Sequence, residues 1–323
     1  MTQGVPSTLA PGGPGAQLIA GLAWFLIPVA VVVVVIVVGL VMSGALRRSG
    51  TLAEHAPADT LGGTQWIKVG GILLPTIVLA VTFLLGERTL GRLPSGRAHA
   101  AATTTEPTIE VTGRQWWWQV RYRSADLTQE FATANEIHIP VGRPVLIELR
   151  STDVIHSLWV PQLQPKEDLI PGRRNALVLQ ADKPGEYVAE CAEYCGDEHA
   201  RMAFRVVAES PERYEAWLAQ RRAIPAVPAE PEAARGREVF LSNACAFCHA
   251  IRGTPAQGVV APDLSDFATR PTIGAGTVPN TRPMLEGWIM NAPAMKPGTQ
   301  MPAFPQLDAS SLRALTAYLE SLR

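Results

Sequence analysis

Two thiols, an imidazole and a thioether lie close together in one short run of this chain. Residues 190–202 place Cys191, Cys195, His199 and Met202 in the spacing C-x-E-x-C-x-x-x-H-x-x-M. Thiolate and thioether sulfurs favour copper, zinc or iron–sulfur centres, and imidazole suits copper and zinc. The alternatives are a disulfide between the two cysteines and two structural thiols, but a disulfide would not require the histidine and the methionine at these offsets. The run therefore predicts a soft metal site that needs one further ligand from elsewhere.

A second run of the chain offers two more thiols and another imidazole. Cys245, Cys248 and His249 form the pattern C-x-x-C-H, the attachment signature of c-type haem. In such a site the cysteines form thioethers with the haem vinyl groups, and the histidine ligates the iron. All four cysteines of the chain lie in these two motifs. Two close pairs in a long chain do not indicate a disulfide scaffold.

Two long apolar segments precede both motifs. The chain has 323 residues, enough for two or more domains, and its formal net charge of -1 gives no bias toward nucleic acid. Residues 1–16 are rich in glycine and proline and predict a flexible start. Residues 17–42 and 65–86 are apolar and long enough to cross a membrane. They predict a two-helix transmembrane hairpin, with residues 43–64 as its cytoplasmic loop.

The haem motif determines the predicted sidedness of this hairpin. Arg47 and Arg48 favour a cytoplasmic loop, but arginines also follow Glu87 on the other side, so charge alone does not decide. Haem attachment through C-x-x-C-H takes place outside the cytoplasm. We therefore expect the chain from Thr104 onward on the periplasmic, outer face of a bacterial inner (plasma) membrane.

The segments that carry the motifs have a different pattern. Residues 104–209 predict many short strands separated by proline and glycine turns, which is typical of a β-sandwich or barrel. Residues 210–231 predict a short helix followed by a semi-rigid linker rich in proline and alanine. Residues 232–323 predict a second small domain that is helical at both ends, with Asp308 as the N-cap of its last helix.

Three further segments resemble subunit II of cytochrome c oxidases. His156 lies in a segment of the form D-V-x-H-S-x-x-V-P, residues 166–175 read K-x-D-x-x-P-G-R-x-N, and residues 115–118 read Q-W-W-W where the family has Q-W-Y-W. The run around the first cysteine pair matches the copper loop of that family at every ligand. The resemblance covers roughly residues 17–208. It implies an all-β cupredoxin-like domain that holds a binuclear copper A centre.

The resemblance also assigns roles to individual residues. Six residues would supply the copper ligands, namely the bridging thiolates of Cys191 and Cys195, then His156 and Met202 on one copper, and His199 and the backbone carbonyl of Glu193 on the other. The side chain of Glu193 would also help to bind a magnesium ion at the interface with subunit I. Trp116, with Trp117 beside it, would form the point at which electrons enter the copper domain.

The C-terminal domain resembles the all-α class I cytochromes c. Gly236 and Phe240 match the G-x-x-x-F pattern of the first helix of that family. Residues 261–264 resemble its G-P-x-L segment, in which the carbonyl of the proline, here Pro262, holds the proximal histidine. The G-T-x-M pattern of the family favours Met301 as the sixth ligand of the haem iron. The alternatives are Met284, Met290 and Met295.

Together the two resemblances imply subunit II of a respiratory haem–copper oxidase of the caa type. Electrons would pass from cytochrome c or a cytochrome bc complex through covalent haem c and copper A to subunit I, where oxygen is reduced to water. Subunit III would be a further partner. The alternatives are the copper A and haem c subunit of a nitric oxide reductase, and a copper-delivery protein. Lys68 stands where the family commonly has a glutamate at the mouth of a proton pathway. The sequence therefore does not decide whether this helix takes part in proton uptake.

Overall fold

The computed structural model describes residues 7–46, 60–94 and 109–323. The chain forms two compact units, one that consists mainly of residues 17–93 and one that consists mainly of residues 94–323. The first six residues, most of the predicted cytoplasmic loop with Arg47 and Arg48, and the chain around Thr104 lie outside the described residues.

The first unit consists of apolar helices. Helix α1 spans Pro14–Leu46, and after the loop helix α2 (Thr60–Trp66), a π-helical segment (Ile67–Leu73) and helix α3 (Leu74–Leu90) follow without a break. Pro14–Leu46 and Gly63–Leu90 are each long and apolar enough to cross a membrane, which takes about 20 residues. The π-helical segment contains Lys68 and ends just before Pro75, whose missing amide hydrogen removes one backbone hydrogen bond.

Ten strands lie in the described part of the next domain. Their bounds are β1 (Ile109–Arg114), β2 (Trp117–Tyr122), β3 (Phe131–Ala134), β4 (Glu136–Pro140), β5 (Val145–Ser151), β6 (His156–Val160), β7 (Gln164–Leu169), β8 (Asn175–Leu179), β9 (Gly185–Cys191) and β10 (Phe204–Glu209). One sheet has the order β3-β2-β1-β5-β8 and the other β4-β10-β9-β6-β7. The pairs β1 with β5 and β4 with β10 are parallel, and the other pairs within the sheets are antiparallel.

Alternation along the strands builds the core between the two sheets. In β2 the side chains of Trp118, Val120 and Tyr122 are buried, while Trp117 on the opposite face is partly exposed. Successive side chains of a strand point to opposite faces, so three adjacent tryptophans cannot all enter one core. Trp116, which precedes the strand, packs at the edge of the core and is also partly exposed.

Helices dominate the rest of the chain. Helix α4 (Pro211–Arg222) is followed by an extended stretch in which Ile224 and Val227 are exposed, and then by α5 (Pro231–Ser242), the single turn α6 (Cys245–Cys248), α7 (Arg282–Met295) and α8 (Ala309–Ser321). The short strands β11 (Thr272–Ile273) and β12 (Val278–Pro279) pair between α6 and α7. As predicted, Asp308 caps α8, accepting hydrogen bonds from the amides of Ser310 and Ser311.

The predicted architecture is confirmed, because two apolar helices precede an all-β sandwich that is followed by a helical domain. The sandwich and the helical domain have separate apolar cores. Helices α5 and α8 cross so closely in the second core that Gly236 lies against the backbone of Ala314.

Candidate copper and haem centres

The first cysteine pair lies at the end of β9 and in the loop that connects β9 to β10. Cys191 is the last residue of β9, and the loop that follows carries Cys195 and a 3-10 turn that starts at His199. Met202 lies two residues before β10. His156 is the first residue of β6, which pairs with β9, so the sheet brings it to the loop across 35 residues of sequence.

All six predicted copper ligands converge at this loop, five from the loop itself and its ends and His156 from β6. The sulfur atoms of Cys191 and Cys195 lie 3.8 Å apart. The Nδ1 atom of His156 and the carbonyl oxygen of Glu193 lie 3.9 Å and 3.3 Å from the sulfur of Cys191. His199 Nδ1 and the sulfur of Met202 lie 3.6 Å and 4.0 Å from the sulfur of Cys195. Each cysteine sulfur therefore has two of the other four donors beside it, and this soft donor set fits copper.

A hydrogen bond between the two thiols prepares one of them to bind metal. The bond with Cys195 lowers the pKa of the Cys191 thiol to about 3, outweighing burial, and the bond to His156 adds to the effect. The same thiol–thiol bond, together with burial, raises the pKa of Cys195. The pair thus holds a thiolate at neutral pH, which is the form of cysteine that binds metals.

The imidazole of His156 is held from three sides. Its Nε2 atom lies 2.8 Å from a carboxylate oxygen of Asp153, which leaves Nδ1 turned toward the sulfurs. The ring of Trp118 packs on it at 5.9 Å between centroids, and a Cβ atom on Gly113 would lie only 2.7 Å from its Cδ2 atom. Burial lowers the pKa of His156, but the bonds to Cys191 and Asp153 outweigh burial and leave the pKa raised. Such outer partners orient a ligand and fix its tautomer.

The carbonyl oxygen of Cys195 connects the copper loop to the tryptophan stretch. It accepts hydrogen bonds from the side-chain amide of Gln115 at 2.7 Å and from the indole nitrogen of Trp116 at 3.0 Å. The backbone amide of Gln115 in turn donates to Asp153 at 2.8 Å. The indole of Trp118 donates to the carbonyl oxygen of Met202 at 3.1 Å, below the loop. Backbone and side chains of residues 115–118 therefore hold the loop at both ends.

The carboxylate of Glu193, the predicted magnesium ligand, points away from the sulfurs. It lies 3.4 Å from the ammonium of Lys166, which lies equally close to Asp168, and all three side chains are substantially exposed. The magnesium role of Glu193 stays a prediction.

The second cysteine pair lines a cleft in the helical domain. Cys245, Cys248, His249 and Met301 line it, together with apolar side chains that include Phe240, Leu264, Trp288, Ile289 and Leu319. Its empty volume is about 1150 Å³, part of it open to solvent. Sulfur, imidazole and thioether groups around an apolar cleft fit a covalently attached haem.

One backbone contact orients the candidate proximal histidine. The Nδ1 atom of His249 lies 2.8 Å from the carbonyl oxygen of Pro262, so the ring donates there and presents Nε2 to the cleft. Burial lowers the pKa of His249, which favours the neutral ring that binds iron. Of the four candidate methionines, all in the described part of the chain, only Met301 lines the cleft. Met284, one of the alternatives, is exposed.

Trp116 belongs to both sites. It lines the haem cleft with Trp117, and its indole is bonded to Cys195 of the copper loop. Added Cβ atoms on Gly196 of the copper loop and on Gly298 of the loop that carries Met301 would each lie 3.0 Å from its ring. The Trp116 ring therefore lies between the two loops.

Four residues near these sites were not singled out from the sequence. Gln115 contacts the copper loop, Asp153 contacts the predicted ligand His156, and Asp266 and Lys296 join the two domains. Gln115 and Asp153 lie inside segments that resemble the oxidase family, so their position in those segments was an available signal. Asp266 and Lys296 had none, because their partners are distant in the sequence.

Both domains of the chain have relatives among known proteins. Residues 123–210 match the family model of the periplasmic domain of cytochrome c oxidase subunit II, and residues 233–323 match that of cytochrome c. The chain is similar to cytochrome c oxidase subunit 2 of Alkalihalophilus pseudofirmus, with 35% identity over 98% of this chain and 91% of the relative. It is 28% identical to subunit 2 of a Bacillus species, over 86% of this chain and 79% of the relative. A crystal structure of the periplasmic domain of subunit II from Bradyrhizobium japonicum covers 37% of this chain and 96% of its own, with 28% identity and a TM-score of 0.34.

Proposed function

Because this chain belongs to the family of cytochrome c oxidase subunit II and carries a C-terminal cytochrome c domain, we propose that it relays electrons from an external reductant to subunit I. A covalent haem c and a binuclear copper A centre would supply the one-electron carriers when bound. The chain is a subunit of a cytochrome c oxidase. The relay steps are its share of the reaction, and oxygen reduction takes place elsewhere in the complex.

The burial of the copper ligands supports a relay and not a substrate-binding site. Six groups would hold the copper, namely the thiolates of Cys191 and Cys195, His156, Met202, His199 and the carbonyl of Glu193. Of these side chains, both cysteines, His156 and Met202 are at most 8% exposed. The burial excludes water, and Asp153, Gly113 and Trp118 hold the ring of His156. Both features restrict changes in ligand geometry, which favours fast electron transfer.

The haem group would be held by four side chains of the C-terminal domain. Cys245 and Cys248 would form the thioethers, and His249 and Met301 would ligate the iron. Pro262 would orient His249 through its carbonyl. A histidine–methionine pair raises the reduction potential of haem iron, which suits a donor to a copper centre.

The position of Trp116 is the observation that carries the proposal. Its ring lies between Gly196 of the copper loop and Gly298 of the methionine loop, and its indole donates to Cys195. An aromatic ring in contact with both loops offers a direct protein path between them. Trp117, which lines the same cleft but packs beneath the guanidinium of Arg114 at 5.6 Å, would have the lesser role.

Substitution of these two tryptophans tests the path. In the purified complex, Trp116→Leu should slow electron transfer from haem to copper at least about tenfold, with the haem and copper absorption spectra unchanged. Trp117→Leu is the matched control and should slow it less. Equal rates in wild type and Trp116→Leu would contradict the assigned path.

Metal and haem analysis combined with a substrate assay tests the whole proposal. The complex should contain copper and one covalent haem c for each copy of this chain, and it should consume oxygen. Consumption of nitric oxide in place of oxygen would instead assign the chain to a nitric oxide reductase. A chain that binds copper but no haem would contradict the relay.

The proposal also places the chain in its surroundings. Subunits I and III would be its membrane partners, and cytochrome c or a cytochrome bc complex its electron donor. The two apolar helices would cross the bacterial inner membrane, with both cofactor domains on the periplasmic face. Glu193, which lies beside Lys166 and Asp168 at the surface, would bind magnesium where the copper domain meets subunit I.

A further inference from the structure

A buried lysine joins the copper domain to the cytochrome c domain. Lys296 follows α7 and is only 2% exposed. Its ammonium donates to the backbone carbonyl oxygens of Trp116 at 2.8 Å, Arg201 at 2.7 Å and Gly274 at 2.8 Å. Two of these acceptors belong to the copper domain and the third to the cytochrome c domain. A single side chain therefore ties both domains together.

The hydrogen-bonding capacity of this lysine is fully used. An ammonium has three donors and no acceptor, and here each donor has one carbonyl. Lysine is rarely buried without a partner, since an unpaired charge in the interior is costly. Burial lowers the pKa of Lys296 to about 8, opposed by the nearby carboxylate of Glu198. A site that meets all three donors in a closed space is built for this residue.

The acceptors of Lys296 are part of the electron-transfer region. One of them is the carbonyl of Trp116 itself, and Arg201 directly precedes the copper ligand Met202. Two residues beyond Lys296, Gly298 packs on the Trp116 ring. Close in sequence to the acceptors Arg201 and Gly274, the amide of Ala203 donates across the domain boundary to the carbonyl of Ala275 at 2.9 Å.

A second polar contact also holds the two domains together. Asp266 of the cytochrome c domain is buried and accepts a hydrogen bond from Thr133 of β3 at 2.9 Å. It also pairs with Arg270 of its own domain and, at 3.7 Å, with Arg221 of α4. With two separate contacts of this kind, rotation of one domain on the other would break several buried polar pairs.

We propose that Lys296 is a positioning residue that fixes the cytochrome c domain in one docked pose, with Trp116 held between the haem cleft and the copper loop. This inference deepens the proposed relay and rests on it for its functional consequence. The tethered cytochrome is thus a docked donor and not a freely swinging one. The docked pose itself can be measured without electron transfer.

Hydrogen exchange of the Ala203 amide tests this pose in the purified complex. Lys296→Met keeps most of the length of the side chain but removes all three donors. The unpaired carbonyls then favour separation of the two domains. We expect exchange at Ala203 to rise at least about tenfold and haem-to-copper transfer to slow. Lys183→Met makes the same charge change at an exposed lysine of the copper domain and should leave both unchanged.

Lys296→Gln provides a graded second variant, because its amide retains two donors and should give exchange between wild type and Lys296→Met. Unchanged exchange at Ala203 in both variants would overturn the inference, as would loss of both haem and copper, which would make Lys296 a folding residue. Increased exchange in a complex whose wild type shows no haem-to-copper transfer would uphold the docking and refute the relay.

Discussion

A methyl group added at Gly236 should force apart the two helices that frame the haem cleft. Its Cβ atom would lie 1.8 Å from the carbonyl oxygen of Ala314 and 2.9 Å from Cβ of Tyr318. Both obstacles belong to α8 and the nearer one is backbone, so a rotamer change cannot relieve the contact. Helices α5 and α8 would have to separate by roughly 1 Å.

The magnitude follows from the side chains that pack across this crossing. Four side chains at the crossing are buried in one core, namely Phe240, Leu315, Tyr318 and Leu319. Each contributes about 2 kcal/mol by burial, and a gap of this size forfeits about a quarter to a half of the contact energy. The loss is then about 2–4 kcal/mol, against a gain of about 1 kcal/mol from replacing glycine within a helix. We expect Gly236→Ala to destabilise the domain by about 1–3 kcal/mol.

Guanidinium denaturation of the full chain, followed by the haem Soret band, measures this change. With a slope of about 4 kcal/mol per M, the midpoint should fall by about 0.3–0.8 M. Gly287→Ala is the matched control in α7, because its Cβ would meet only the flexible terminal methyl of Met295. The control midpoint should stay or rise slightly. If Gly236→Ala unfolds no earlier than wild type, or if both variants fall equally, the helix crossing is not the cause.

Three further outcomes are expected. Cys191→Ser should abolish the near-infrared copper absorption and leave the haem spectrum intact; loss of both would argue against two independent sites. Met301→Leu should lower the reduction potential of the haem, whereas Met295→Leu should leave it unchanged, and the reverse pattern would reassign the sixth ligand. Burial raises the pKa of Asp266, but Arg270, Arg221 and Thr133 outweigh burial and leave it lowered. Its stabilisation is therefore complete above about pH 4 and is lost as the pH falls below that value. Asp266→Ala, which leaves two buried arginines without their partner, should cost about 3–5 kcal/mol at neutral pH and flatten this acid transition, as thermal unfolding at pH 3–7 would measure.

The sequence predicted both ligand sets because each is mainly local. The C-x-x-C-H motif and the copper loop each hold most of their donors within a short stretch, so spacing alone predicts the chemistry. His156 and Met301 are the exceptions, since each is distant in the sequence from the other donors of its site and was assigned through the resemblance of its segment. The helix N-cap at Asp308 is likewise a local feature, and the structure has it where it was predicted.

Contacts between the domains could not be predicted in this way. Lys296 bonds a carbonyl 180 residues away, and Asp266 a hydroxyl 133 residues away. Both would be read from the sequence as surface charges. Every residue has a backbone carbonyl, so no residue type in the sequence marks which carbonyl accepts the hydrogen bond. Only the packed domains bring these groups together.

Tertiary packing also determines the burial of one histidine. His138 is a strand residue, and it is buried. Every residue of β4 is buried, because α4 packs over the strand. The ring of His138 stacks on Trp217 of that helix at 4.0 Å and lies 2.9 Å from the carboxylate of Glu209. The alternating pattern of β4 gave no sign of this helix.

The three acceptors of Lys296 have a consequence for sequence drift. Because all of them are main-chain oxygens, replacement of the side chain at Arg201 leaves the acceptor in place. Gly274 is different, because its φ is positive and an added Cβ atom would lie 2.4 Å from the ring of Trp288. Related chains can therefore diverge on the receiving surface without losing the contact, as long as the backbone path and the lysine persist. This contact between the two domains depends on one replaceable side chain and on three atoms that no point substitution can remove.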